Sequence, residues 1–462
     1  MGKAERIASI IDAIISPCKL PPDRDEPILV SSRPDNRLTR RQVAALGVMT
    51  LTMTGILVIN QWAWIPPHVP PDSPWKYATD VLIMKINDAG NPIWTLPIRF
   101  ANTTSKLDIS HNSVDIVECR GGGYAVASPI MSMKDDTDSL GIMLTRISDT
   151  GVVLWKYTFD NISIEMGLSL IETRNEGYAM AGTYRFFDEE ANAWNRDVFL
   201  LNFDEEGQIA WNQTYGESLD DWGYSLVECR SGGFAISGTT DMLNGMKRDM
   251  LLIRTDEAGN HLWNKTIGGS GHDEGWAIVE CDDSGFVVVG STVDAATTHE
   301  AFIIRTNAEG EAVWNRTYSA GSDTVALSLC DLGPDRFAIT GLSRKSATSS
   351  DYALFLLVES DGKISQSSSL YYDTVFRPYH YYYDCGGHDI VQSQDGNLTI
   401  IGSANYLTRS YNWEIMLMRI DSHGTLITNS TYGGDSWETG CSLVSSGDGG
   451  YALAGVRITF IE

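Results

Sequence analysis

Several groups of residues in this chain are of types that could do chemistry. Two acidic pairs, Asp220–Asp221 and Asp273–Glu274, read as residues of loops between strands. A glycosidase would need such carboxyls at a fixed separation, which sequence spacing does not give. His380, Cys385 and His388 stand in YHYYYDCGGHD. Their side chains could bind zinc, but H-x4-C-x2-H is not a familiar ligand spacing and has no clear fourth ligand, so no metal is expected. No nucleophile elbow, P-loop or dinucleotide-binding fingerprint occurs. No catalytic residue is assigned on this reading, and no cofactor is expected. Seven N-x-S/T sequons, at Asn102, Asn161, Asn212, Asn264, Asn315, Asn397 and Asn429, are acceptor candidates if the region lies outside the cell. Two aromatic clusters are the strongest binding candidates. One holds Tyr371, Tyr372, Phe376, Arg377, Tyr379, His380, Tyr381 and Tyr382; the other holds Tyr184, Phe186, Phe187 and Trp194, next to Arg185. Tyr, Trp and Arg are enriched at interface hot spots. The competing expectation is that these aromatics pack beneath their own loops.

The elements that must position these residues come from a repeat. Turn glycines stand at Gly90, Gly151, Gly207, Gly259, Gly310, Gly362 and Gly424, spaced by 51 to 62 residues. Four residues after each of the first five comes Trp94, Trp155, Trp211, Trp263 or Trp314; Gln366 and Thr428 break the rule. A second anchor is an aromatic in a glycine-rich turn (Tyr124, Tyr178, Phe234, Phe286, Phe337, Tyr451), replaced once by Leu398. Short apolar runs between glycine turns at this period give four strands per copy, and seven copies give a seven-bladed, all-β propeller of four-stranded antiparallel blades. If each blade takes strands C and D from one copy and A and B from the next, the C-terminal strands pair with the N-terminal ones and remove exposed edges. The alternative is A–B–C–D blades that meet end to end only by face packing. An acid before strand A recurs at Asp80, Asp197, Asp249, Glu300 and Glu414. It could line a channel mouth and hold a cation, or it could serve each blade by bonding backbone N–H groups. Cys119, Cys229 and Cys281 share one repeat position, which favours packing over disulfides.

The D-x-x-G-x-x-x-W element (Asp256, Gly259, Trp263) resembles the repeat of the PQQ-like, quinoprotein-type propellers and their cofactor-free relatives, including uncharacterised archaeal and bacterial membrane-anchored surface proteins. The resemblance implies that the Trp docks neighbouring blades. It covers the repeats only. The quinone enzymes typically have eight blades, an adjacent cysteine pair and a calcium–Asp site, whereas this sequence has seven copies and no adjacent cysteines.

Outside the repeats, the sequence divides into 1–41, 42–65 and 66–77, ahead of the propeller at 78–462. Residues 42–65 carry no charge and end in Trp62 and Trp64, as a transmembrane anchor would. Eight Lys/Arg precede the span and the next basic residue after it is Lys76, which puts the N-terminus in the cytoplasm and the propeller outside, at the cell membrane. Ile7, Ile10, Ile11, Ile14 and Ile15 form a short apolar helical stripe, and IPPHVPPDSP reads as a stiff spacer. The net charge of −26 excludes the basic footprint of a nucleic-acid binder. The sequence therefore points to a binding or scaffolding module for protein or glycan partners at the face bearing the long loops. The alternative is an enzyme with an axial site, either a quinone-dependent dehydrogenase or a glycan hydrolase. The oligomeric state is not legible.

Overall fold

The computed structural model describes residues 76–461, apart from 104–113, 132–139, 189–191, 217–218, 243–246, 270, 294–297, 335, 347–350, 371–385, 407–411 and 435. The expected cytoplasmic segment, membrane anchor and most of the spacer thus lie outside the described residues. So does the aromatic cluster from Tyr371 to Tyr382, together with Cys385. Among the described residues, no helix is long and apolar enough to cross a membrane.

Every regular element described is a strand. The first blade contains β1 (Lys76–Ile86) and β2 (Pro92–Thr103). The second is β3 (Asp115–Glu118), β4 (Tyr124–Met131), β5 (Leu140–Ile147) and the start of β6 (Val153–Glu172). The end of β6 then opens the third blade, with β7 (Tyr178–Asp188), β8 (Ala193–Phe203) and β9 (Ile209–Tyr215). The fourth is β10 (Asp221–Glu228), β11 (Phe234–Met242), β12 (Lys247–Thr255) and β13 (His261–Ile267). The fifth is β14 (His272–Glu280), β15 (Phe286–Val293), β16 (His299–Thr306) and β17 (Ala312–Tyr318). The sixth is β18 (Asp323–Asp331), β19 (Phe337–Arg344), β20 (Asp351–Val358) and β21 (Ile364–Leu370). The seventh is β22 (Gly387–Gln392), β23 (Leu398–Tyr406), β24 (Asn412–Ile420) and β25 (Leu426–Tyr432). The last two strands, β26 (Trp437–Ser445) and β27 (Tyr451–Ile461), return to the first blade, whose order is β2-β1-β27-β26.

Seven four-stranded antiparallel units are therefore present among the described residues, and each touches the next in turn until the seventh meets the first. That is a β-propeller. The blade phase is C–D–A–B. β1 and β27 pair along their whole length, from Lys76↔Ile461 to Ile86↔Tyr451, so strands from the two ends of the described chain close one blade. The middle strands are buried on both faces, as in Met250–Ile253 and Val287–Val289, because blades stack face to face.

The Trp and the turn glycine repeat together because they touch each other. Each Trp lies half-buried on an outer strand and packs on the turn glycine of the following blade. A Cβ added to Gly259 would meet the Trp211 ring at 2.5 Å, and one on Gly310 would meet Trp263 at 2.7 Å. These glycines also hold φ near +76°, a conformation most side chains resist. The same indole reaches the next blade's aromatic: Trp211 to Phe234 at 5.9 Å and Trp263 to Phe286 at 6.4 Å between ring centroids. Trp94 and Trp314 add hydrogen bonds from Nε1 to the carbonyls of Asp149 and Ser360, at 2.8 and 3.0 Å. At the sixth seam Gln366 replaces Trp, Leu398 replaces the facing aromatic, and Phe355 lies against Gly424 instead. Loss of the Trp and loss of the facing aromatic thus fall on the same seam; at the next seam Thr428 replaces Trp, and Tyr432 donates to the Gly90 carbonyl at 2.7 Å instead.

Candidate functional site

The described residues of the segment Tyr184–Arg196, expected as a loop, form a β-ribbon. β7 and β8 pair without interruption from Tyr178↔Phe203 to Asp188↔Ala193. β9 joins β8 only from Val198 inward, and β6 reaches β7 no further than Tyr184. Residues 185–188 and 193–196 thus form a two-stranded extension beyond the sheet. Side chains alternate across it. Tyr184 and Phe186 stack on one face at 5.1 Å. On the other face Phe187 and Trp194 are cross-strand partners, their rings edge to face at 5.5 Å, and the Arg185 guanidinium lies 4.4 Å from the Trp194 ring centroid. Cross-strand aromatic pairs of this kind hold a ribbon that hydrogen bonding alone would leave marginal. Phe187 and Trp194 nevertheless keep 46% and 55% of their surface exposed. Tyr184 and Phe186 are only part-exposed, with Tyr184 packed on the core shared by the second and third blades.

At the foot of the ribbon lies a cluster that the sequence did not reveal. Arg196 of β8 binds Asp220 through its backbone N–H at 3.0 Å and its guanidinium at 2.5 Å. Arg248 of β12 pairs with Asp241 at 3.0 Å and reaches Glu274 at 3.7 Å. Both guanidiniums lie over Trp222, at 5.6 and 4.3 Å from the ring centroid. Behind it Tyr224 and Trp276 stack at 4.3 Å on adjacent inner strands. Burial pushes the Asp241 and Glu274 carboxyls above the usual carboxylate range despite Arg248, and burial lowers His272 beside them. Of the acidic pairs expected in loops, Asp220 lies between β9 and β10, whereas Asp221 opens inner strand β10, and Asp273 and Glu274 lie in inner strand β14.

Around the axis, polar side chains of the inner strands tie neighbouring blades together at several seams. Ser169 accepts the Leu226 N–H at 3.1 Å. Asp115 accepts that of Leu170 at 2.7 Å, and Asp389 that of Leu443 at 2.9 Å. Ser442 stands between the two carboxylates, 2.7 Å from Asp115 and 3.3 Å from Asp389. Burial, and then the neighbouring Asp389, push Asp115 up to about 6; burial also raises Asp389. His388, one of the possible zinc ligands, is buried, with its Nδ1 2.6 Å from the Gly440 carbonyl; a carbonyl can only accept, so Nδ1 carries the hydrogen. No group of three or more potential metal ligands occurs among the described residues.

Three of the recurring acids meet groups of their own blades. Asp80 pairs with Arg99 at 2.6 Å, Asp249 with Lys247 at 2.7 Å, and the carboxylates of Asp197 and Asp249 press on Gly216 and Gly268. Cys119, Cys229, Cys281, Cys330 and Cys441 are free thiols, all but Cys330 fully buried. Asn264, Asn315 and Asn429 are exposed on outer strands, whereas Asn212 and Asn397 are half-buried and Asn397 donates to Asp395. Asn102 and Asn161 lie in β2 and β6.

No protein-family model matches the chain. No curated protein matches it either. Solved structures of similar fold include a Hadza microbial sialidase (11% identity, 82% of this chain and 92% of that one, TM-score 0.40). Another is the α-L-arabinofuranosidase of Fusarium graminearum (9% identity, 74% and 92%, TM-score 0.43). A third is the β-propeller domain of the Trilobed protease of Pyrococcus furiosus (10% identity, 72% and 88%, TM-score 0.36). Likeness at this level assigns no activity to the chain, and the fold rests on its own strand pairing.

Proposed function

We propose that this chain is a seven-bladed propeller that acts as a binding or scaffolding module, engaging a protein or glycan at the face that carries the ribbon. The observation that carries this reading is the ribbon itself. A rigid disc holds a two-stranded extension whose tip presents Phe187 and Trp194 to solvent, next to Arg185. Exposed aromatics on a scaffold-fixed element are the side chains that anchor partners. The tyrosine-rich segment 371–385 follows β21 and precedes β22 in the chain, which supports a place for it on the same face as the ribbon. In the cluster at the foot of the ribbon Asp241 and Glu274 both turn onto Arg248, which supports a structural pairing over glycosidase chemistry.

The apolar run 42–65 and the basic residues before it support a signal anchor with the N-terminus in the cytoplasm and the propeller at the outer cell surface. Trp–glycine docking between blades supports kinship with cofactor-free relatives of the PQQ-like propellers. Protease added outside intact cells should release the propeller by cutting near Pro66–Pro74, while a tag at residue 1 stays protected. Loss of that tag would refute the orientation. Binding is tested by replacing Phe187 and Trp194 together with alanine. Capture of envelope protein or of arrayed glycans by the purified ectodomain should fall more than tenfold. Undiminished capture by a folded double variant would overturn the ribbon as the site.

A further inference from the structure

The outermost strand of each blade is a free sheet edge, and its exposed face follows a rule. The residue before the Trp position is an exposed aliphatic in five blades: Ile93, Leu154, Leu262, Val313 and Ile427, at 54%, 57%, 55%, 63% and 47% exposure. Such an edge invites pairing with another chain unless something blocks it. In the first blade the same strand carries Pro92 and Pro97, which cannot extend a ladder. In the second, Lys156 stands two residues after Leu154, on the same face. In the fourth, fifth and seventh blades that position is Asn264, Asn315 or Asn429, each the first residue of a sequon. The sequon hydroxyls of Thr266, Thr317 and Thr431 follow on the same face, since alternate strand residues point the same way. The opposite face of β13 carries Trp263 and Lys265, which engage the next blade, so glycan on Asn264 leaves the seam intact.

We infer that Asn264, Asn315 and Asn429 are N-glycosylated, and that the sugars cover Leu262, Val313 and Ile427 and block these three edges. Asn212 and Asn397, half-buried, stay unmodified. In the transfer, the Asn Nδ2 attacks C1 of a sugar carried on a lipid phosphate or diphosphate. The C1–N bond forms, the C1–O bond to phosphate breaks, and the lipid phosphate leaves with the electron pair as the amide gives up one proton. A membrane oligosaccharyltransferase of the host would catalyse it. The inference rests on the extracellular placement proposed above.

The test uses full-length protein isolated from its own cell membranes, with peptide mass spectrometry before and after chemical deglycosylation. The peptides of Asn264, Asn315 and Asn429 should carry mass that deglycosylation removes, and those of Asn212 and Asn397 should not. Thr266→Ala should abolish the modification at Asn264 while leaving Asn264 itself in place. Replacing all three asparagines with glutamine should cause self-association at concentrations where the native protein is monodisperse, and Asn→Lys replacements, which mimic Lys156, should not. Unmodified peptides in a protein whose propeller is cut by external protease would overturn the inference alone. Unmodified peptides together with a protected propeller would overturn it along with the placement.

Discussion

Trp263 lies half-buried across the seam between the fourth and fifth blades, its ring against Gly310, whereas Trp194 stands near the tip of the third blade's ribbon with 55% of its surface exposed. The side chain is the same, and what differs is what it meets. Trp263 meets a turn that only glycine can form so closely, and the same meeting recurs on five seams. Trp194 meets Phe187 and Arg185 of its own ribbon and then solvent. A residue that recurs with a fixed partner in the repeat serves the scaffold. An exposed aromatic with no fixed partner in the repeat is free to serve a ligand.

The largest expected effect concerns what both tryptophans depend on, the closed ring. Truncation after Gly449 removes β27, the strand that pairs with β1 from Ile86 to Lys76. It should abolish cooperative melting of the whole domain in calorimetry, because β26 loses its pairing strand and β1 loses one of its two. A truncated domain that melts like the full one would mean that the blades are stable without closure. Next in size, Trp263→Ala should cost about 3 kcal/mol in denaturant unfolding, at the low end for a Trp truncation because the ring is half-buried. Gly310→Ala should cost about 1–3 kcal/mol through its positive φ and its clash with that ring. A Gly310→Ala protein of native stability would separate the glycine from the tryptophan and break the seam account.

The axial pair gives a smaller effect with a definite sign. Asp115 is held near 6 in the fold against 3.8 ordinarily. As pH rises from about 4 to 6, the unfolded chain releases this proton before the folded one does, so the group favours the fold less at neutral pH than in acid, by at most about 3 kcal/mol. Other carboxylates titrate over the same window, so the informative quantity is a difference. Asp115→Asn should gain stability relative to the native protein as pH rises through that window, seen as converging or crossing Tm curves. Parallel curves would show that Asp115 is already ionised in the fold.

The scaffold was legible because its contacts repeat. Glycine, Trp and the strand aromatic share one register, and the contact between them is why they do. The closing of the ring by β1 and β27 followed from the need to remove free edges. Physical reasons equally explain what was missed. The ribbon read as a loop because Phe187 opposite Trp194 is a pairing that the repeated anchors do not mark. The Arg196–Asp220 and Arg248–Glu274 cluster gathers side chains from three blades. The Asp115–Ser442 bond joins residues 327 positions apart. Proximity of that kind is set by ring geometry and leaves no spacing in the chain.

The central claim, that the ribbon binds while the seam holds, is tested most directly by measuring Tm and partner capture on the same preparations of Trp194→Ala and Trp263→Ala. Trp194→Ala should melt within about 0.5 kcal/mol of native, as exposed substitutions do, and lose capture by about tenfold or more. Trp263→Ala should melt well below native and, at temperatures where it is folded, retain capture. A Trp194→Ala protein that loses stability as Trp263→Ala does, yet captures its partner undiminished, would contradict the account.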